Sequence, residues 1–515
     1  AYLESNSDDI DPIEIYAYYI GMTINNMRQG VFTEYLLSFP VTYEKAVRDK
    51  ILSSFSRGLH KSLPQVLAED DEFVQNEFRV ISATSEPAAY AVCALEAYGF
   101  EPDDQEVYYY GVFDFGGGTT DFDFGRWRAA ITPEEQDRYE YVIEHFGGGG
   151  ERFLGGENLL DLLAFTVFSN PENLPKLKEH NVYFTWPHGE EKKFNGFQDV
   201  IAKDSKWAHM NMQRMRELLR PMWERHPNYE DKFTESQISN LSLFTNTGEQ
   251  VTDIGGLAVD LKQLETILDD KIRAGIKSFM TGMLDSMSDI SPRPEKLNIF
   301  LAGNSCRSEK VDRIFHEEFG PFEEKYKAKR AELGEEFEGE IFELFPPLGT
   351  EAAKKKQEER KVSLISDGSY APTGKTGVAV GLLKCRTSVK VIDANKDEND
   401  EIAFKFTIGK MRRNKLVPVL TSKSRLGGKW ERFIIADKPE FDFYYTSKKH
   451  GVSGDLPIQE TQRYTCRLTT TDDSASVFMR PKSPTEIEYV VARERSGQEI
   501  EPISEIVTIK LGVGK

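Results

Sequence analysis

The sequence predicts an α/β fold followed by a separate β-rich domain. Between residues 12 and 124, apolar residues at helical spacing alternate with short apolar runs, the sign of α/β layering. From about residue 390 the pattern changes to short pieces such as EIAFKFTIG, RFIIA, FDFYYT and TEIEYVVARE, separated by charged turns. That reads as a β-sandwich-like domain over 401–515.

The elements follow in order. Ile13, Ile15, Tyr16, Tyr19, Ile20, Met22 and Ile24 predict a helix within 12–29. A strand-like YLLSFPVTY at 35–43, a helix at about 44–60, a strand at 78–82 and the segment TSEPAAYAVCALEAYG at 84–99 come next. Residues 155–295 read as a helical subdomain containing the amphipathic stretch 203–225 and a helix near 261–286. LNIFLAG at 297–303 and a helix at 308–319 restore the α/β pattern. The charge-dense run 320–360 reads as a solvated helix or mobile insertion and is given no chemistry. Residues 389–400, running into the acidic KDENDE, form the expected linker.

Composition narrows the function classes. With 65 basic and 85 acidic side chains the formal charge is -20, which argues against a nucleic-acid partner. Cys93, Cys306, Cys385 and Cys466 lie far apart without C-x-x-C spacing, so neither a disulfide framework nor a zinc site is indicated. No apolar run has the length of a membrane span. A cytoplasmic setting without a membrane partner is expected.

The most informative stretch is GVFDFGGGTTDFDF at 111–124. An apolar strand ends in Asp114, and Gly116, Gly117 and Gly118 then give a turn whose amides can point together at an anion. Asp114 stands where a carboxylate can hold the water shell of magnesium, an ion that keeps several waters and takes few protein ligands. By the period of two, Asp121 and Asp123 share one face, while Phe122 and Phe124 share the other. This is a phosphate cradle with a polar side and an aromatic side; an ordinary glycine turn is the competing reading.

Five segments, in order, resemble the nucleotide-binding domain of the seventy-kilodalton heat-shock chaperones, within the actin and sugar-kinase ATPase superfamily. They are LLSFPVTYEKAVRDKILSSFSRGL at 36–59, ISATSEPAAYAVCALEAYG with Glu86 and Pro87, DFGGGTTDF at 114–122, RFLGGENLLDLL at 152–163, and FLAGNSCRSEKVDRIF at 300–315. The resemblance implies an actin-like (ribonuclease H-like) two-lobed nucleotide-binding domain over 1–388, binding ATP or ADP with Mg2+. It implies that Glu86 and Asp114 orient water and magnesium at the γ-phosphate. Thr119 would touch that phosphate, and Asp121 would support the metal's waters. Gly155, Gly156 and Glu157 would approach the phosphates and ribose from the opposite lobe, and Glu217 and Arg220 would meet ribose and adenine. An ion pair on a helix surface remains open for those two. Gly303, Asn304, Ser305 and Arg307 would form the adenosine turn.

The chain also departs from the family. A first phosphate hairpin and a catalytic lysine are not found, so the domain is expected to be N-terminally incomplete, with both elements upstream of Ala1 and weak hydrolysis by the chain as given. Pro221 replaces a basic residue and is expected to alter or end its helix. Asn304 and Cys306 replace a glycine and a threonine. A rival P-loop at 361–383, with Gly368, Gly374, Lys375 and Thr376, has five residues between its glycines where the motif takes four. The function expected is an ATP-dependent chaperone-like protein whose nucleotide state controls the β domain, which would take unfolded peptide or a protein partner. A nucleotide-binding scaffold or pseudo-ATPase and an actin-like filament protein stand as alternatives.

Overall fold

The first helix begins where the chain supplies a cap. Asp11 accepts the amides of Ile13 and Glu14, Pro12 fits the first turn, and α1 runs Pro12–Asn26. This computed structural model describes residues 10–511 apart from 28–29, 40–42, 44, 191–196, 225–232, 234–236, 239–240, 253, 288–289, 291, 363–370, 387–390, 394–403, 405, 413–414, 422–423, 425–426, 447–460, 484–485 and 495–499. Most of the predicted linker, and Gly368 of the rival P-loop, therefore lie outside the described residues. Strand β1 (Glu34–Phe39), helix α2 (Lys45–Lys61) and strand β2 (Arg79–Ser85) follow. Helices α1 and α2 approach so closely that a Cβ on Gly58 would lie 2.2 Å from the carbonyl oxygen of Glu14. Ala17, Leu59, Leu63 and Phe78 fill a small core there.

Two compact units emerge. One gathers residues up to Phe39, 43–84 and from Asp393 onward; the other is essentially Ser85–Ile392. The sequence reading placed 1–84 with the nucleotide-binding domain. Strands β1 and β2 pair with each other in a sheet of their own. A strand's apolar pattern announces its existence and leaves its partner open.

The second unit comprises α3 (Glu86–Ala97), β3 (Val107–Phe115), β4 (Thr120–Ala129), β5 (Tyr141–Glu151), α4 (Gly156–Phe168), α5 (Lys206–Trp223), α6 (Leu261–Ser286), β6 (Leu297–Ala302), α7 (Glu309–Ala331), β7 (Phe342–Phe345), α8 (Glu351–Glu359), α9 (Gly377–Lys384) and β8 (Val391–Asp393). Its six-stranded sheet has the order β7-β6-β3-β4-β5-β8. Strands β3, β4 and β5 are antiparallel, while β6 runs parallel to both β3 and β7. The period of two sorts the hairpin faces as expected. Phe113, Phe115, Phe122 and Phe124 enter a core with Leu160, Phe279 and Phe315. On the opposite face Tyr110, Val112 and Trp127 pack with Tyr90–Leu95 of α3 and Phe345. Tyr90 pins α3: its hydroxyl donates to the carbonyl of Leu301 at 2.9 Å and accepts the amide of Leu348 at 3.1 Å.

Two local expectations change. The run 320–360 is no loose insertion, because α7 continues to Ala331 and β7 joins the central sheet in parallel register with β6, burying Phe342 and Phe345. Its charges decorate a stretch with only a few, well-placed apolar residues. Pro221 does not end α5, which continues to Trp223. So near the end of a helix, a proline costs one backbone hydrogen bond rather than a run of them.

The β domain forms a four-stranded and a five-stranded sheet. Strands β9 (Thr407–Arg412), β10 (Lys415–Leu420), β12 (Glu440–Thr446) and β13 (Gln462–Arg467) give the order β10-β9-β12-β13. Strands β11 (Glu431–Ala436), β14 (Asp472–Ser483), β15 (Glu486–Glu494) and β16 (Ile500–Pro502) give β11-β14-β15-β16, with β17 (Val507–Lys510) also on β15. Ile408, Leu420 and Phe443 from one sheet share a core with Phe433, Val477 and Ile487 from the other, as in a sandwich. Among the described residues, no helix is long and apolar enough to cross a membrane.

Candidate functional site

The carboxyl ends of the adjacent parallel strands β3 and β6 meet at one place, with Ala302 in register with Asp114. Open α/β sheets bind ligands at such ends. Asp114 also faces Asp121 across the hairpin, and Glu86 starts α3, which is capped by Ser85 and carries Pro87 in its first turn.

The glycine turn is gripped from two sides. The carbonyl of Gly116 accepts the amide of Gly156 (3.0 Å) and the hydroxyl of Ser305 (3.0 Å), and the carbonyl of Gly117 accepts the amide of Glu157 (2.8 Å). Asn158 Nδ2 donates to the carbonyl of Gly118 at 2.5 Å. With these carbonyls held from behind, the amides of Gly117, Gly118 and Thr119 make no hydrogen bond to any described residue. Gly117 and Gly118 are exposed. These amides therefore remain open to an outside acceptor, although none of Gly116, Gly117 and Gly118 takes the positive φ that the sequence allowed them.

Close approach dictates the other glycines. A Cβ on Gly155 would lie 2.3 Å from the carbonyl oxygen of Gly117, and one on Gly156 2.7 Å from Ser305 Oγ. Gly303 combines φ +79° with a Cβ position 2.6 Å from Asp114 Oδ1, so both its backbone and its lack of a side chain are needed. The next residues form a 3-10 turn, Asn304–Arg307, in which Ser305 is buried while Asn304 and Arg307 are exposed.

Electrostatically the site is a meeting of carboxylates. Asp114 is pushed up to about 8, chiefly by desolvation and then by the neighbouring Glu86 and Asp121. Glu86 rises to about 7 through desolvation and the charge of Asp121. Both residues are intermediate in burial, and among the described residues no cation contributes to either shift. Thr119 Oγ1 donates to Asp121 Oδ2 at 2.9 Å. Among the described residues, no three His, Cys, Asp or Glu side chains are placed to hold a metal directly. Carboxylates reaching magnesium through its waters need no such trio, and a hard cation relieves the repulsion seen here.

Glu157, Glu217 and Arg220 come together as an ion network. Arg220 binds Glu157 with two hydrogen bonds, at 2.7 and 3.0 Å, and Glu217 at 3.0 and 3.2 Å, tying α4 to α5. The guanidinium holds the Glu157 carboxyl below its ordinary value. Lys375 of the rival P-loop is exposed, but the carbonyl of Gly374 accepts the amide of Gly303 (3.2 Å), so that segment buttresses the turn at Gly303–Arg307.

Sequence reasoning missed three contributors. Asn158 follows Glu157 directly and was within reach of a motif reading. The Trp223 indole nitrogen, 3.3 Å from a Cβ built on Gly156, lies one helical turn beyond Arg220. Less visible is a buried network in which the Tyr110 hydroxyl donates to Asp123 Oδ2 (2.8 Å), with His145 Nδ1 2.9 Å from that oxygen and 3.0 Å from the Tyr110 hydroxyl. Asp123 therefore serves the interior rather than a ligand.

No protein-family model matches the chain, and no curated protein matches it. The likeness to heat-shock ATPases therefore stands on the five sequence motifs alone.

Proposed function

We propose that the chain is an ATP-binding, chaperone-like protein of actin-like ATPase architecture, whose nucleotide state controls the β domain. The observation that carries this reading is that the amides of Gly117, Gly118 and Thr119 have no acceptor among the described residues, in the turn that joins Asp114 to Asp121, with Glu86 close enough to raise the proton affinity of Asp114. The amides hold phosphate oxygens, and Asp114 and Asp121 hold the waters of Mg2+, which supplies charge neutralisation to the phosphates. Glu86, with its raised proton affinity, orients or accepts a proton from the attacking water, since phosphoryl transfer needs positioning and electrostatics more than covalent chemistry. The Gly303–Arg307 turn and the Glu157–Arg220–Glu217 network flank the nucleoside.

The test is calorimetric titration of MgATP together with phosphate release. Micromolar binding is expected, and Asp114→Asn should lower turnover on the order of 10²-fold, the scale of losing one transition-state contact. Unchanged turnover in that variant would refute the site. One observation favours a nucleotide-binding scaffold instead: among the described residues, no cation acts on Glu86 or Asp114. Tight MgATP binding without turnover would select that reading.

A further inference from the structure

The net charge of -20 hides a division along the chain. Residues 401–515 carry 20 Lys and Arg against 15 Asp and Glu, whereas residues 1–400 carry 45 against 70. The β domain is thus basic on an otherwise acidic protein. Within it, residues 402–430 hold eight Lys and Arg and no Asp or Glu.

The fold gathers part of this charge beside two sheet edges. Strand β10 ends one sheet and β11 ends the other. Lys410 and Arg412 sit two apart on β9 and therefore share a face, and Lys410 is in register with Val417 of β10. The Lys410 ammonium lies 5.3 Å from the ring centre of Phe433 on β11, which brings the two edges together. Desolvation and the charges of Arg412 and Arg432 push the Lys410 ammonium below its ordinary value, so three cations crowd this spot. Among the described residues, Arg432 has the Glu494 carboxylate at 4.0 Å and donates from Nε to Ser476 Oγ at 3.0 Å. On the same two edge strands, β10 and β11, Val417, Ile434 and Ile435 are 41%, 40% and 48% exposed, an unusual display of aliphatic surface for such strands.

We propose that this edge of the β domain binds an extended, acid-rich polypeptide segment, whose carboxylates meet Lys410, Arg412 and Arg432 and whose apolar side chains meet Val417, Ile434 and Ile435. An edge strand offers main-chain groups to an added strand, and alternate side chains of that strand reach the charged and aliphatic positions. Nucleic acid fits less well. Single strands are held by stacking bases on accessible rings, but Phe433 is fully buried and Trp430 lies under Arg480, 4.3 Å from its ring centre. A bilayer fits less well too, because the exposed apolar residues are aliphatic, without the Trp and Tyr that anchor at a lipid interface. The proposal names the ligand class of the β domain and rests on the chaperone-like reading only for nucleotide control, so binding is tested without nucleotide first.

The experiment measures anisotropy of labelled peptides with the full chain. A fifteen-residue peptide alternating Glu with Val or Leu is expected to bind, to weaken as salt rises from about 0.05 to 0.2 M, and to outcompete its Gln and Lys counterparts. The triple variant Lys410→Gln, Arg412→Gln, Arg432→Gln should weaken binding roughly tenfold, while Arg463→Gln on β13 should not. Ile434→Ser with Ile435→Ser should weaken it with little change in salt dependence. Equal binding of the three peptides, an unaffected triple variant, or stronger capture of oligo(dT) or phosphatidylserine vesicles would each overturn the proposal. If the acidic peptide binds and MgATP leaves its affinity unchanged, the ligand assignment survives and the nucleotide-control reading fails.

Discussion

Asp114 and Asp123 stand on the same face of one hairpin and meet opposite surroundings. Asp123, mid-strand, is met by the Tyr110 hydroxyl and His145, both buried, in a network closed within the protein. Asp114, at the strand end, is raised by desolvation and by the carboxylates of Glu86 and Asp121, beside a turn whose Gly117, Gly118 and Thr119 amides have no acceptor among the described residues. One aspartate is satisfied by hydrogen bonds within the fold, while the other is held among like charges. Buried polar groups that complete their hydrogen bonds specify structure. Those held at a cost mark function.

This contrast makes opposite predictions for stability. The larger effect belongs to Asp123→Ala, which removes the oxygen shared by Tyr110 and His145 in a sheet interior that cannot easily repack. A loss of about 2–4 kcal/mol in denaturant unfolding is expected, with a lowered midpoint. A change below about 0.5 kcal/mol would mean that the network is incidental and the contrast false.

Asp114→Asn should do the reverse. Asp114 rises from an ordinary 3.8 to about 8 and Glu86 from 4.5 to about 7, so the folded protein holds protons that the unfolded chain has already released. The associated stability is complete below about pH 4 and is lost as pH rises through 7 to 8. At pH 8 the neutral asparagine should therefore add about 1–3 kcal/mol in the absence of magnesium and nucleotide, with little change at pH 4. Thermal unfolding across pH 4 to 9 measures it. A variant less stable than the parent at pH 8 would show that a cation within the protein already answers the carboxylate.

How far the sequence spoke follows the same division. The hairpin, its two faces and the glycines around it were legible because each is local: a period of two, a run of three glycines, a motif with fixed offsets. Gly303 and Gly155 stood in those motifs, although the collisions that require them appear only in three dimensions. The Tyr110–Asp123–His145 network joins residues up to 35 positions apart with no repeating spacing, so nothing in the string announced it. The pairing of β1 with β2 was hidden for a related reason, since strand pairing is decided by tertiary packing. Charge density misled twice. It disguised β7 as part of an insertion, and the overall -20 concealed a basic β domain.

The ion network tying α4 to α5 lies between these extremes, and its expected effect is the smallest. Arg220 makes bidentate contact with Glu157, but the two side chains are 26% and 44% exposed, so water and salt screen the pair. Arg220→Ala should cost only about 0.5–1 kcal/mol of stability, shrinking further in high salt. Because Glu157 starts the helix whose first amides grip the glycine turn, the same variant should loosen nucleotide binding by a few-fold through the turn's position. Arg220→Lys, which keeps the charge and loses the fork, should restore the stability and only part of the affinity. Equal losses in both properties for both variants would place Arg220 with Asp123, as structure alone, and not with the site.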